Sequence, residues 1–352
     1  MTLLLDRRRL IVSPALAPAQ QRETDQFDRG QEVADDVLTI GLINNMPDPA
    51  LQATERQFMR LLTAAAGDNR IRFHCFSLPS VVRSRPAKWR VDRKYTDIAD
   101  LDRLQIDGLI VTGAEPNAET LPEEGFWQDL TDIIDWAKTN TRSAIWSCLA
   151  AHAAVLHLDG VERQRLDAKC SGIYDCFAVA EHWLTDGLPS PLRVPHSRLN
   201  GLRATDLTAR DYQLLTVSPE GGVDIFAKQL RSQFIFFQGH PEYDPLSLER
   251  EYLRDISRFL ARERDNYPAF PAGYFDSETE ARLADFERRA RVERRPALST
   301  ELPDRTLRED LATGAVATAL FRNWLSQIAA RKSAAASGSR KPASAGLAGA
   351  AP

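Results

Sequence analysis

The strongest constraint in this chain is a repeated alternation of buried-strand runs with amphipathic helices. Leu38 to Ile43 (LTIGLI) is an unbroken apolar run that stops at Asn44-Asn45-Met46-Pro47. Leu51 to Ala66 follows, with Leu51, Phe58, Leu62 and Ala65 on one helical face. Ile71 to Leu78 and Ile106 to Thr112 read as further strands, the latter stopped by Gly113. Phe126 to Lys138 is helical, and Ser143 to Ser147 is a short strand running into Cys148 and a helix through Leu158. Phe234 to Gln238 (FIFFQ) is another strand, and Leu246 to Ala261 is a helix with Leu248, Tyr252, Ile256 and Leu260 on one side. Strands that are apolar on both faces need cover on both faces. The pattern predicts an α/β fold with a mostly parallel sheet flanked by helices on either side. Such sheets place their reactive groups at the carboxyl ends of the strands.

The ends of the chain differ from this pattern. Residues 1–35 mix charges with Pro14, Pro18 and a polar run from Gln20 to Gln26, and read as an N-terminal arm. Residues 331–352 are rich in Ala, Ser and Gly and cannot bury a core, which predicts a disordered tail. The folded unit is expected at 36–330, divided into a core at 36–263 and a C-terminal extension at 264–330. No repeat of 20–50 residues is visible.

Charge and cysteine usage exclude several functions. The 352 residues carry 45 Lys+Arg against 49 Asp+Glu, a net of -4, so nothing global attracts nucleic acid or an anionic membrane. Arg288, Arg289, Arg291, Arg294 and Arg295 form a basic run. Interleaved Asp285, Glu287 and Glu293 make it a solvated helix face rather than a nucleic-acid contact. Three leucines at the N-terminus do not make a signal peptide, and no stretch approaches about 18 uncharged apolar residues. The expected compartment is a reducing cytoplasm. Cys75, Cys148, Cys170 and Cys176 include no C-x2-C pair, and His152 and His157 are badly spaced for helical chelation, so no metal is expected. Neither G-x-G-x-x-G nor a P-loop is present.

Two strand ends carry the chemistry. Cys148 lies between Ala144-Ile145-Trp146-Ser147 and the small-residue helix Leu149-Ala150-Ala151-His152-Ala153-Ala154. A thiol on such an elbow stands above the sheet, with helix N–H groups placed to hold an oxyanion. Taken alone, the segment favours a buried structural cysteine, and it is the second strand end that turns the reading toward a nucleophile. The second end, Gly239-His240-Pro241-Glu242-Tyr243, offers an imidazole and a carboxylate two residues on, with Pro241 fixing the turn. Together Cys148, His240 and Glu242 form the generalised nucleophile, base and orienting acid of a triad.

At this point the chain resembles a known family, the homoserine O-acyltransferases, which have a class I glutamine-amidotransferase-like (flavodoxin-like) fold. The matching stretches are Ile40 to Pro47, Thr54 to Leu62, Asp107 to Ala114, Lys169 to Tyr174 and Pro195-His196-Ser197-Arg198. Gly239 to Asp244, Glu251 to Asp255 and Leu320 to Leu325 complete the set. The resemblance covers roughly residues 37–330, in order, and makes 36–330 an acyltransferase domain. It implies that Cys148 takes an acyl group from acyl-CoA as a thioester, with His240 as general base and Glu242 orienting it. It also implies that Lys169, Ser197 and Arg254 bind substrate. The implied substrates are L-homoserine and succinyl-CoA or acetyl-CoA, in methionine biosynthesis, with no bound cofactor; a homodimer is left open. The position that sorts acyl donors in the family corresponds to Asn117, where glycine goes with succinyl and glutamate with acetyl. Neutral Asn117 does not repel a succinyl carboxylate, which tilts the expectation toward succinyl-CoA. The charged segment at 277–300 has no counterpart in this comparison. A glutamine amidotransferase-like amidase using the same triad is the alternative. The elbow Trp146-Ser147-Cys148-Leu149-Ala150, without glycine, speaks against it.

Overall fold

A computed structural model of the chain describes residues 2–6, 9–13, 37–309, 311 and 313–339, with side chains described for 37–309, 311 and 313–337. The strands are β1 (Thr2–Asp6), β2 (Arg9–Ser13), β3 (Val37–Ile43), β4 (Arg70–Phe76), β5 (Gly108–Val111), β6 (Ser143–Ser147), β7 (Gln164–Ala178), β8 (Leu192–Gly201), β9 (Gln213–Ser218), β10 (Gly222–Gln229) and β11 (Gln233–Phe237). The helices are α1 (Asp48–Ala65), α2 (Arg85–Lys94), α3 (Trp127–Asn140), α4 (Leu149–Asp159), α5 (Ala204–Thr208), α6 (Ser247–Leu260), α7 (Ser277–Glu293) and α8 (Thr313–Ser339).

The strands form one sheet in the order β1-β2-β4-β3-β5-β6-β11-β10-β9-β7-β8. Strands β4, β3, β5, β6 and β11 run parallel, and these are the five apolar runs read from the sequence. Antiparallel strands extend this parallel core on both sides, so the sheet as a whole is mixed. Alternation along each central strand divides the core. Ile40, Leu42, Ile110, Ile145, Ile235 and Phe237 pack with Phe58 and Leu62 of α1 and Leu320, Phe321 and Trp324 of α8. Leu109, Val111, Ala144, Trp146, Phe234 and Phe236 face Leu130 and Ile134 of α3 and the Ala-rich α4. Because β4 and β5 flank β3 on opposite sides, the strand order reverses there. The carboxyl ends of β3, β5, β6 and β11 open onto that reversal.

The helix α8 seals one face. Trp324 is fully buried among β-strand side chains, and its indole N–H donates to Ser143 Oγ at 2.9 Å. Truncation removes both the packing and the partner of a buried hydroxyl. Trp324→Ala is expected to cost about 3–5 kcal/mol in urea denaturation, with little change in the m-value.

Of the expected extension at 264–330, the part before α8 packs through a separate apolar group in which Leu283 and Phe286 of α7 meet Tyr252 and Ile256 of α6, whereas Leu320, Phe321 and Trp324 of α8 belong to the main core. The part of the basic run on α7 is a charged helix face, with Glu278–Arg282, Asp285–Arg288 and Glu287–Arg291 paired along the helix, whereas Arg294 lies past its end and donates to the Phe259 and Arg264 carbonyls. Two chain ends differ from expectation. Within 1–35, residues 2–6 and 9–13 form a hairpin that pairs with β4, and 14–35 lie outside the described residues. Helix α8 continues to Ser339 into the Ala-rich stretch expected to be a tail from 331, because alanine is the best helix former. Residues 340–352 lie outside the described residues. No helix among the described residues is long and apolar enough to cross a membrane.

Candidate active site

Cys148 occupies a strained turn. It caps α4 directly after β6, with φ 53° and ψ -113°, a backbone conformation that an L-residue other than Gly rarely adopts. Its N–H donates to the Phe237 carbonyl at 2.7 Å, tying the elbow to the end of β11. Gly113, at the end of β5, makes room for the helix start. A Cβ there would lie 2.8 Å from Leu149 Cβ and 3.2 Å from Leu149 N. The first N–H groups of α4, which follow Cys148 directly, lack intrahelical acceptors, an arrangement that suits an oxyanion.

His240 leaves the end of β11, the strand next to β6. Its Nδ1 lies 2.8 Å from Glu242 Oε1, and its side chain is close enough to the Cys148 sulfur to feel its charge. The three predicted catalytic groups therefore converge. Burial by itself would make His240 a weaker base. The Glu242 carboxylate and then the Cys148 sulfur outweigh burial, and the imidazole holds its proton well above its ordinary pKa. The other cysteines stand apart. Cys75, Cys170 and Cys176 are each pushed up by burial, which keeps them as thiols.

Lys169, Ser197 and Arg254 are joined through two carboxylates that the sequence reading did not single out. The Ser197 hydroxyl donates to Glu251, Lys169 Nζ is 3.8 Å from Glu251 Oε2, and Lys169 Nζ donates to Asp255 at 3.0 Å. Arg254 and Arg264 also reach Asp255, each at 3.3 Å. Burial raises the Asp255 carboxyl, but Lys169, Arg254 and Arg264 hold it below its ordinary value. Tyr243 links this cluster to the base. Its ring stacks on His240 at 4.3 Å between centroids, and its hydroxyl donates to Glu251 at 2.6 Å.

Asn117 lies in the loop after β5 and is exposed. Its backbone N–H and that of Ala118 donate to the buried Glu124 carboxylate at 2.7 and 2.9 Å, while its side-chain amide turns back to the Glu115 carbonyl. The structure thus ties Asn117 into its own loop rather than to the triad.

Behind His240 lies a second buried cluster. Ligand atoms of Cys176, His196 and Asp224 fall within 4.8 Å of one another, a donor set that a metal ion uses. The hydrogen bonds argue for another state. Arg198 Nε donates to His196 Nδ1 at 3.3 Å, and a guanidinium nitrogen only donates. The imidazole proton therefore sits on Nε2, 3.2 Å from Asp224 Oδ1, leaving no lone pair there for a metal.

Comparison with known proteins places these features in context. A family model described as homoserine O-succinyltransferase matches residues 24–334, including the charged 277–300 segment for which the sequence reading found no counterpart. A homoserine O-succinyltransferase of Bradyrhizobium japonicum is 58% identical over 94% of this chain and 99% of its own length. One from Rhodopseudomonas palustris is 56% identical with the same coverage, and one from Methylorubrum extorquens is 47% identical over 85% of this chain and 89% of its own. Among solved structures, a glutamine amidotransferase from Thermotoga maritima aligns at a TM-score of 0.46 and 12% identity, covering 83% of this chain and 98% of its own.

Proposed function

The chain belongs to the homoserine O-succinyltransferase family, and from that premise we propose that it moves a succinyl group from succinyl-CoA, through a thioester on Cys148, to the hydroxyl of L-homoserine. The observation that carries the mechanism is the convergence of Cys148, His240 and Glu242 after neighbouring parallel strands, with His240 hydrogen-bonded to Glu242 and electrostatically coupled to the Cys148 sulfur. His240 takes the thiol proton, and the Cys148 sulfur attacks the succinyl carbonyl. The tetrahedral adduct collapses with loss of CoA thiolate, which recovers the proton from the imidazolium. Thioester exchanges for thioester, so this half-reaction is close to balanced. His240 then takes the homoserine hydroxyl proton as the oxygen attacks the enzyme thioester. Collapse returns the sulfur and releases O-succinyl-L-homoserine, an intermediate for methionine biosynthesis in the cytoplasm.

The acceptor is a zwitterion and needs a cation for its carboxylate. Arg254 has a half-exposed side chain, and its planar fork suits a carboxylate. Lys169 and Ser197 complete the acceptor pocket beside it. Asn117 is the residue assigned to donor choice, being uncharged where a glutamate would repel the succinyl carboxylate. Release of free CoA thiol in the presence of homoserine tests this reading. Succinyl-CoA should exceed acetyl-CoA in kcat/KM, and Asn117→Glu should lower kcat/KM for succinyl-CoA by about tenfold or more, since a like charge placed against the succinyl carboxylate costs at least that. Asn117→Glu should reverse the order, whereas an unchanged ratio would remove Asn117 from donor selection. Hydrolysis of glutamine without acyl transfer would instead favour an amidase.

A further inference from the structure

The catalytic base emerges from a turn whose backbone is clamped by β8 and β10. The His240 N–H donates to the Pro195 carbonyl at 2.7 Å, and the N–H of Gln238 donates to the Asp224 carbonyl at 2.9 Å. Between those two anchors lies Gly239. A Cβ on this residue would lie 2.8 Å from Asp224 Oδ1 and 2.9 Å from His196 Nε2, so the pair is packed against the main chain immediately before the base. Both side chains are wholly buried.

Each member of the cluster is itself held. Arg198 reaches the carbonyls of Asn200, at 2.9 Å, and Gly221. It also donates through Nε to His196. Asp224 Oδ2 accepts from Thr216 Oγ1 at 2.8 Å. The chain of contacts runs from a guanidinium, by a hydrogen bond to a neutral imidazole, to a carboxylate whose Oδ1 lies 3.2 Å from His196 Nε2, so opposite charges sit at its ends inside the sheet edge. Nothing in the acyl-transfer steps uses these groups, and burying them unpaired would be costly.

We infer that Arg198, His196 and Asp224 form a buried set of positioning residues, which fixes the Gly239 turn and with it the placement of His240 relative to Cys148. The set touches no substrate; it acts only through the base. The inference rests on His240 being that base. Acyl-enzyme formation by the unmodified protein tests that premise separately.

The test compares His196→Leu with His196→Gln in the full-length protein. Leucine fills the space but leaves Arg198 and Asp224 without their bridge, while glutamine returns an N–H donor toward Asp224. A base displaced by roughly 1 Å loses about 10²-fold in rate. His196→Leu should therefore lower kcat by about that factor with KM for both substrates within about threefold, and slow alkylation of Cys148 by iodoacetamide in parallel. His196→Gln should recover most of both. Folded His196→Leu protein with normal kcat and normal Cys148 alkylation would overturn the assignment, as would a loss confined to KM. If His196→Leu does not fold, Gly239→Ala serves instead. It keeps every polar group and drives a methyl against Val194 and into the pair; a folded Gly239→Ala protein with unchanged kcat would also overturn the assignment. Stoichiometric zinc or another metal bound by Cys176, His196 and Asp224 in the purified protein would overturn it too, because the imidazole would then be a ligand rather than a donor.

Discussion

Replacing Cys148 with Ala is expected to abolish acyl transfer, lowering kcat by roughly 10⁴-fold or more. The same change should remove the mass of one succinyl group that the unmodified protein gains when mixed with succinyl-CoA and no acceptor. The two readouts separate the nucleophile from a structural role. A structural cysteine would leave a trapped acyl group somewhere on the protein. Cys75, Cys170 and Cys176 provide the internal control, since burial holds them as thiols, whereas the Cys148 sulfur is the one that acts on the His240 imidazole. Because Cys148 sits at positive φ, Ala at this site keeps the strain of the turn without the sulfur. Stability of Cys148→Ala should stay close to that of the unmodified chain, so lost activity cannot be assigned to unfolding. Full activity, or an acyl adduct that persists, would place the nucleophile elsewhere.

Most of the parallel core was readable because β3, β5, β6 and β11 are buried on both faces and so appear as short, largely apolar runs. Val37–Ile43 and Ser143–Ser147 are buried at every position. The antiparallel half was not readable. Along β7, exposed and half-buried residues occupy most of Gln164–Ala178 and do not alternate regularly, since a register shift interrupts its pairing with β8. Periodicity arguments have little to hold in such a strand. The triad was legible because each member terminates a legible strand. Glu251 and Asp255 were hidden by their position on α6, where carboxylates ordinarily face water; their roles come from Lys169 and Ser197 on β7 and β8 meeting that helix. Tyr243 had a signal in its adjacency to Glu242, but stacking on His240 depends on how the turn closes. His196 and Asp224 lie inside β8 and β10, two strands the sequence reading did not identify, so nothing in the sequence could pair them. A polar residue that interrupts an apolar strand was the available clue.

Glu242→Gln is the second decisive change, because it keeps the shape of the side chain while removing its charge. The amide can still meet Nδ1, but it no longer favours the imidazolium or fixes the tautomer that presents Nε2 to the sulfur. By analogy with other triads, kcat is expected to fall about 10²- to 10⁴-fold. The pH dependence carries the sign. Burial pulls the His240 pKa down, and Glu242 and Cys148 together raise it well above 6.5. In the acyl-enzyme the sulfur is esterified and uncharged, so Glu242 is left as the main group holding the proton on His240. The second half-reaction needs His240 deprotonated, and kcat should rise with pH through that acyl-enzyme pKa. Removing the Glu242 charge lets burial prevail, lowers this pKa and moves the acid limb of kcat to lower pH, even as the plateau drops. A limb that stays in place or moves upward would show that Glu242 is not the charge partner of the base. Such a result would leave the hydrogen bond at 2.8 Å as a structural contact only.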